Sequence, residues 1–340
     1  MRVLGWIATG LAAGLAALGS APVAAAGLPI GKPFTIVVGY APGGGYDAYA
    51  RLAADHLGKY LPGHPTVLVE NMEGGGARRS EVYLATAAPR DGTVIGLVAS
   101  SIALESVQRI IPGDVDAAGF GFIGRLSNET LAIITGESSP TKTLSDAKAR
   151  ETILAGTSFG DVTTIVPRVV NATLGTRLKI VDGYRGSSEM VLAMERGEVE
   201  GITLAAESVK TLHPDWLEKK TVNFLSVAAS QRYPGFPDVP ALAELVPGDS
   251  EARTLIEIAC SPAQIGKSLA TPPGVPAETV AAWRQAFDAM IKDPDFRADA
   301  ARRKLGLDTA TGEDMQRTVA NIMATPPAAV AKLKHILAGS

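Results

Sequence analysis

The segment Thr35–Asp47 (TIVVGYAPGGGYD) constrains the fold more than any other part of the chain. Its apolar start has the composition of a buried strand, and Pro42 and three glycines then lead into a helical pattern near Asp47. A strand, a glycine loop and a helix start together form an anion site, because loop N–H groups and the positive end of the helix dipole point at the same place. We therefore expect an anion to bind at this loop.

Strands and helices of similar length alternate along the chain, which is typical of βαβ units and a parallel sheet. Ligands of such sheets bind beyond the carboxyl ends of the strands. The predicted strands are Thr35–Gly39, Thr66–Glu70, Thr93–Ala99, Leu131–Thr135, Thr152–Ala155, Lys179–Val181, Val199–Leu204 and a last one at Asn223–Ala229. The predicted helices are Asp47–Tyr60, Arg79–Ala87, Leu144–Arg150, Val162–Leu174, Ser188–Arg196, Ala277–Lys292 and Asp295–Lys304.

The first 26 residues predict export. Arg2 gives a short basic start, an apolar stretch runs from Val3 to Leu18, and Ala24–Ala26 fits an A-x-A cleavage site. The apolar stretch is too short, and too rich in Gly and Ala, for a membrane span. We therefore expect a cleaved signal peptide at residues 1–26.

Composition argues against several functions. A net charge of −3 does not suit a nucleic-acid surface, which needs a basic patch. The only cysteine, Cys260, leaves no internal disulfide and reads as a small buried residue. The glycine loop is neither a Walker loop nor G-x-G-x-x-G, and the histidines lack metal-ligand spacing, so no cofactor or metal is expected.

Several motifs, in order, resemble one family. They are PGGGYD at Pro42–Asp47, VLVEN at Val67–Asn71, the segment Ala85–Gly96, YRG at Tyr184–Gly186 and YPGFPDVPALAEL from Tyr233. The similarity covers nearly all of residues 30–320. The chain resembles the Bug-type extracytoplasmic solute receptors, which are the substrate-binding proteins of tripartite tricarboxylate transporters.

The resemblance implies a type II periplasmic-binding-protein fold, with two α/β lobes and a ligand cleft between them. Lobe 1 would comprise residues 27–125 plus 233–340, and lobe 2 residues 126–232. Such a receptor is periplasmic, is expected to be a monomer, and is not an enzyme. It would capture a small carboxylate (a di- or tricarboxylate or an aromatic acid) by lobe closure and deliver it to the integral-membrane subunits of the transporter.

The resemblance also implies ligand contacts. In lobe 1 these are Ala41, Gly43, Gly44, Gly45, Tyr46, Asp47, Gly75, Gly76, Ala77 and Ser100. In lobe 2 they are Thr157, Ser158, Gly160, Thr163 and Tyr184. Some of these residues have alternative roles, since the Gly43–Gly45 loop could be only a tight turn, Asp47 could cap the helix, and Tyr46 could be an exposed loop residue.

Charged residues near the predicted cleft allow two readings. Arg78 and Arg79 begin a helix, where cations are unfavourable, so at least one is expected to pair with a ligand charge unless both are solvated. Arg185 has the same alternatives. The acids Glu73, Asp161 and Glu207 are expected to be solvated; if they reach the cleft, the ligand carries a donor such as an amine or hydroxyls.

Two other functions stay open. Gly156–Gly160 (GTSFG) matches the G-x-S-x-G nucleophile elbow, which would make Ser158 the nucleophile of a secreted hydrolase. Such an enzyme needs a later histidine, and only His213, in a Leu-His-Pro-Asp-Trp loop, and His335, in the C-terminal tail, follow. The second alternative is a receptor of the same fold that presents its ligand to a sensor kinase.

Overall fold

The structure is a computed structural model that describes residues 27–339. The predicted signal peptide, residues 1–26, lies outside the described residues. The strands are β1 (Phe34–Val38), β2 (Val67–Asn71), β3 (Val94–Val98), β4 (Gly121–Ser127), β5 (Leu131–Gly136), β6 (Thr152–Ala155), β7 (Leu178–Val181), β8 (Gly201–Ala205), β9 (Val222–Ala228), β10 (Lys267–Thr271) and β11 (Ala310–Thr311). The α-helices are α1 (Gly45–Leu57), α2 (Arg78–Thr86), α3 (Ile102–Gln108), α4 (Leu144–Ala149), α5 (Val162–Leu174), α6 (Ser187–Glu195), α7 (Ala206–Leu212), α8 (Pro214–Lys219), α9 (Ser250–Cys260), α10 (Ala277–Lys292), α11 (Pro294–Arg302), α12 (Gly312–Met323) and α13 (Pro327–Ala338).

These strands form two mixed sheets. The first has the order β11-β4-β10-β3-β1-β2, and the second has the order β7-β6-β8-β5-β9. β1 lies parallel to β2 and β3, and β6 lies parallel to β7 and β8, as the βαβ pattern predicts. The sheets also contain antiparallel pairs that the βαβ pattern does not predict, because β10 is antiparallel to β3 and β4, and β5 is antiparallel to β8 and β9.

The chain passes between the sheets twice. Residues 128–130 join β4 to β5, and residues 229–266 join β9 to β10. β4 and β10 are neighbours in the first sheet, β5 and β9 are neighbours in the second, and Glu129 N donates to Ala263 O (3.1 Å) between the two connections. The fold therefore has two α/β lobes, one built on each sheet, which two adjacent connections join. They are called the first lobe and the second lobe below.

Close packing fixes helices on the first sheet. Trp283 of α10 lies edge-on against Phe34 of β1, with ring centroids 5.4 Å apart. A Cβ added to Gly124 of β4 would lie 2.2 Å from the Phe287 ring, so only glycine lets α10 approach this strand. Helices α9 and α13 pack instead against α5 of the second lobe, although both belong to the segment 233–340. No helix within residues 27–339 is both long and apolar enough to cross a membrane.

Local sequence accounts for most elements and misses others. A capping box at Thr143 begins α4, and α5 spans the predicted Val162–Leu174. Asn223–Ala229 is not the last strand, because β10 and β11 follow it; β10 was missed because its fully buried sequence KSLAT starts with two polar residues. His213 does not lie in a loop but separates α7 from α8, and His335 lies within α13 and not in a tail.

Candidate functional site

The glycine loop that connects β1 to α1 keeps helix N–H groups free. Gly44 is the N-cap residue, has no side chain and has an extended backbone, so no side chain caps the helix. The prediction that Asp47 caps α1 is wrong. Its carboxylate accepts from the loop N–H of Gly43 (3.0 Å) and pairs with Arg51 (2.8 Å). Asp47 thus fixes the loop and leaves the start of α1 open.

The first N–H groups of a helix have no acceptor within the helix. In residues 27–339, no protein acceptor takes the N–H groups of Gly44, Gly45 or Tyr46. All three residues line a cavity between the lobes. The cavity therefore meets the positive end of the 13-residue helix α1.

This central cavity is small and is lined by residues of both lobes. Its volume is about 50 Å³, counted as the space open to the centre of a water molecule. Its walls are formed by Tyr40, Gly44, Gly45, Tyr46, Glu129, Leu131, Thr157, Asp161, Val162, Thr163, Ser187, Met190, Thr203, Leu204, Ala205, Ser208 and Lys267.

Two further helices of the second lobe begin at the central cavity. Thr163 lies in the first turn of α5, and Ser187 is the first residue of α6. A Cβ added to Gly44 would lie 2.8 Å from Ser187 Oγ, so the starts of α1 and α6 nearly touch across the cleft. Helix starts from both lobes therefore face one small space, which favours a negative group there.

A buried ion pair lies beside the start of α1. Lys267 is 1% exposed, and its Nζ lies 3.5 Å from Glu129 Oε1. Tyr46 donates its hydroxyl to Glu129 Oε2 (2.8 Å), and the Tyr46 and Tyr49 rings flank the ammonium at 5.4 and 5.3 Å. Burial alone lowers the pKa of Lys267, but Glu129, Tyr49 and Glu207 outweigh it and raise that pKa, so the ammonium is charged.

Asp161 joins the lobes. Its Oδ2 accepts from the Tyr40 hydroxyl (2.9 Å) across the cleft, and its Oδ1 caps α5 by accepting from Thr163 N (2.9 Å) and Thr163 Oγ1 (2.7 Å). Burial raises the pKa of Asp161, although these hydrogen bonds oppose the rise. Protein donors therefore already occupy most of this carboxylate.

A second set of contacts between the lobes surrounds the cavity, and we name it the latch. Ser158 Oγ donates to Gly75 O (2.9 Å), Ala41 N donates to Arg185 O (3.2 Å), and Arg185 pairs with Glu73 (3.2 Å). The two lobes lie so close together at Gly76 that only glycine fits there. A Cβ on this residue, which has φ +65°, would lie 2.3 Å from Ser158 Oγ. The lobes are thus closed in this structure.

Arg78 also belongs to the latch, next to buried acids. Its guanidinium pairs with Glu105 (2.5 Å) and donates to Phe159 O of the second lobe. Burial raises the pKa of Glu105 from 4.5 to about 7, against the opposing Arg78. Burial and then Glu105 also raise the pKa of Glu81 well above its usual range. Arg79, in contrast, is exposed and only reaches Glu73 O (3.5 Å).

The structure thus separates the predicted site residues into two groups. The central cavity is lined by Gly44, Gly45, Tyr46, Thr157, Asp161 and Thr163. Outside its wall lie Ala41, Gly43, Asp47, Gly75, Gly76, Ala77, Arg78, Arg79, Ser100, Ser158, Gly160, Tyr184, Arg185 and Glu207. Among these, Ser100 N donates to the Tyr46 hydroxyl (3.0 Å), Tyr184 lines an outer depression with Ala41, and Glu207 lines another beside Tyr233.

The wall residues that sequence reasoning missed include Tyr40, Glu129, Lys267 and Thr203. Thr203 is fully buried on β8, and its hydroxyl has no partner among the described residues. Tyr40 could have been found, because it stands directly in the glycine loop. Glu129 and Lys267 could not, because they are 138 residues apart in sequence and meet only where the two connections cross.

The arrangement that a serine hydrolase requires around its nucleophile is not found at Ser158 within residues 27–339. Ser158 donates to the Gly75 carbonyl, and within residues 27–339 no histidine is hydrogen-bonded to it. His213 stacks on Trp216, with centroids 4.1 Å apart, and His335 lies in α13.

Two lobes closed over a cavity that is walled by helix starts define a two-lobed solute-binding protein. A family profile described as "Tripartite tricarboxylate transporter family receptor" (TctC) matches residues 49–332. The chain belongs to this family, and the predicted resemblance and fold class are confirmed.

The chain is also similar in sequence to curated relatives and in fold to solved structures. The UPF0065 protein in the gbd 5′ region of Cupriavidus necator is 28% identical over 305 residues, which are 86% of each chain. The periplasmic binding protein BugD has a TM-score of 0.70 at 20% identity, with 89% of this chain and 97% of that chain covered. MatC from Rhodopseudomonas palustris, solved with bound malate, has a TM-score of 0.66 at 20% identity, with 90% and 98% covered.

Proposed function

We propose that this protein is a periplasmic receptor that captures a small carboxylate by lobe closure and delivers it to the membrane subunits of a tripartite tricarboxylate transporter. The observation that carries the proposal is the convergence of two helix starts without a side-chain cap, those of α1 and α6, on one cavity between the lobes. Free N–H groups with a favourable dipole suit a carboxylate without requiring an arginine. The protein acts as a monomer and performs no chemistry on its ligand.

The size of the cavity limits which ligands can bind. One water molecule needs roughly 10–15 Å³ of centre-accessible volume, so about 50 Å³ has room for roughly three to five waters. Since each water takes up about 30 Å³ of liquid volume, that room is roughly 90–150 Å³ of molecular volume, the size of a short acid such as propionate, lactate or succinate. Leu131, Val162 and Leu204 provide an apolar wall for a short aliphatic chain. Citrate and aromatic dicarboxylates exceed this space.

Closure would occur at the two connections, residues 128–130 and 229–266, with the lobe boundaries near the predicted residues 126 and 232. The latch and the Tyr40–Asp161 hydrogen bond exist only when the lobes meet, so they favour the closed form. A ligand that bridges the starts of α1 and α6 adds to this preference, as in other hinged binding proteins. The closed form would then dock on the transporter.

A thermal-shift screen tests the proposal. The mature chain, freed of carried-over ligand by unfolding and refolding, is screened against C2–C8 mono- and dicarboxylates, citrate, benzoate, amino acids, amines and sugars. A ligand at 100 times its Kd stabilises the folded protein by about 2.7 kcal/mol, enough to raise the Tm by a few degrees. We expect a response to short acids. A response to amines or sugars alone would contradict the carboxylate assignment.

A further inference from the structure

The ammonium of Lys267 lacks most of the hydrogen bonds that a buried charge requires. An ammonium has three donors, and charge-assisted bonds to carboxylates normally measure about 2.7–2.9 Å. Within residues 27–339 its one hydrogen-bond acceptor is Glu129 Oε1, at 3.5 Å. The flanking Tyr46 and Tyr49 rings offset part of the cost but accept no conventional hydrogen bond.

Lys267 also lies at the start of α1, an unfavourable place for a cation. A Cβ added to Gly45 would lie 3.6 Å from Lys267 Cε and 2.8 Å from Ser208 Oγ. The lysine therefore borders the same spot as the free N–H groups of the helix. An anion placed there would satisfy both the helix start and the ammonium.

Other polar groups of the central cavity point to an acceptor-rich ligand. Thr203 lines the cavity, and its buried hydroxyl has no hydrogen-bond partner among the described residues. Asp161 could accept a hydrogen bond from a ligand amine, but it already accepts three hydrogen bonds from Tyr40 and Thr163. Glu129 is held by Tyr46 and Lys267. The free backbone N–H groups at the start of α1 and the ammonium of Lys267 are therefore donors that remain for an acceptor on the ligand.

We propose that Lys267 is a specificity-determining residue that contacts the carboxylate held at the start of α1, so that the site selects an ionised acid over its neutral amide. This inference rests on the proposed carboxylate-binding function. Backbone N–H groups alone can also donate to the carbonyl of an amide, whereas a buried ammonium whose one hydrogen bond is long favours the ionised form.

The test compares matched acids and amides by calorimetry: propionate with propionamide, lactate with lactamide, and succinate with succinamide. The variants are Lys267→Met and the double variant Lys267→Met/Glu129→Gln, which leaves no buried acid unpaired and so protects the fold. The control is Lys210→Met, because the Lys210 ammonium also lies over two aromatic rings, at 5.6 and 6.0 Å, but outside the cavity.

We expect the wild type and Lys210→Met to bind the acid at least about 100-fold more tightly than the amide, and the double variant to lose about 30-fold or more of that preference. A double variant that loses Tm but keeps the wild-type acid-to-amide ratio would overturn the inference and make Lys267 purely structural. If the wild type binds no acid at all, the proposed function fails and the inference fails with it.

Discussion

The hydrogen bond between Tyr40 and Asp161 offers a direct measure of lobe closure. It joins the lobes at 2.9 Å, and both residues are buried, with 8% and 1% of their surface exposed. Tyr40→Phe removes only the hydroxyl. A hydrogen bond to a charged group contributes about 1.5–3 kcal/mol, and in an open form water would replace it, so the loss falls on the closed form. Because 1.4 kcal/mol is tenfold in affinity, the Kd should rise by roughly 10-fold to 150-fold.

The assay is calorimetric titration of the best acid from the screen into wild type and Tyr40→Phe, with small-angle scattering to follow compaction on binding. Tyr60→Phe is the control, because the Tyr60 hydroxyl bonds Asp293 far from the central cavity. It should lower stability slightly and leave the Kd unchanged. A Kd of Tyr40→Phe within twofold of wild type, in a normally folded protein, would refute the role of this contact in closure.

Three further predictions follow from the same contacts. Ser158→Ala, which loses one neutral hydrogen bond to Gly75, should weaken ligand binding by roughly 2-fold to 12-fold in calorimetric titration. We expect no ester hydrolysis by the wild type or the variant; an esterase activity that Ser158→Ala abolishes would revive the hydrolase alternative. Gly44→Val should abolish binding, because its Cβ would lie 2.8 Å from Ser187 Oγ; a folded variant with wild-type affinity would contradict the helix-start site. Burial raises the pKa of Glu105 from 4.5 to about 7, so between these pH values the unfolded chain holds fewer protons than the folded protein. The free energy of unfolding should therefore fall as pH rises from 4.5 to about 7, which urea titrations of wild type and Glu105→Gln can check. An equal dependence of the free energy of unfolding on pH in the variant would exclude Glu105 as the cause.

Much of the fold could be predicted because neighbouring residues in the sequence determine it. The apolar run before Gly39 and the glycines after it specify β1 and the start of α1 within one or two residues. The same holds for α5, whose first turn Asp161 caps. Two of the antiparallel strands at the connections, β4 and β10, escaped prediction, because they owe their place to each other and not to a local pattern.

The candidate site divides in the same way. The helix starts at Gly45 and Val162 could be located from sequence to within two residues, because glycines and hydroxyls collect there. The pairs that give the site its charge could not, since Tyr40 and Asp161 are 121 residues apart and Glu129 and Lys267 are 138 apart. Periodicity and capping report on neighbours in the chain, whereas these pairs depend on how two lobes meet.

The separation of cavity wall from latch has an energetic consequence. A latch residue such as Ser158 makes a contact between the lobes that exists only in the closed form, but it lines no part of the cavity. Removing that contact therefore lowers the closed population equally for every ligand. A wall residue such as Lys267 changes the affinity for one ligand relative to another, because it touches what differs between them. The pattern of affinities across a ligand series therefore distinguishes the two roles: a uniform factor identifies the latch, and a changed ranking identifies the wall. Most residues that the family resemblance marks as contacts lie outside the cavity wall. Those among them that belong to the latch, such as Ala41, Gly75 and Ser158, are expected to set how tightly the receptor closes, and the wall is expected to set which ligand it closes upon.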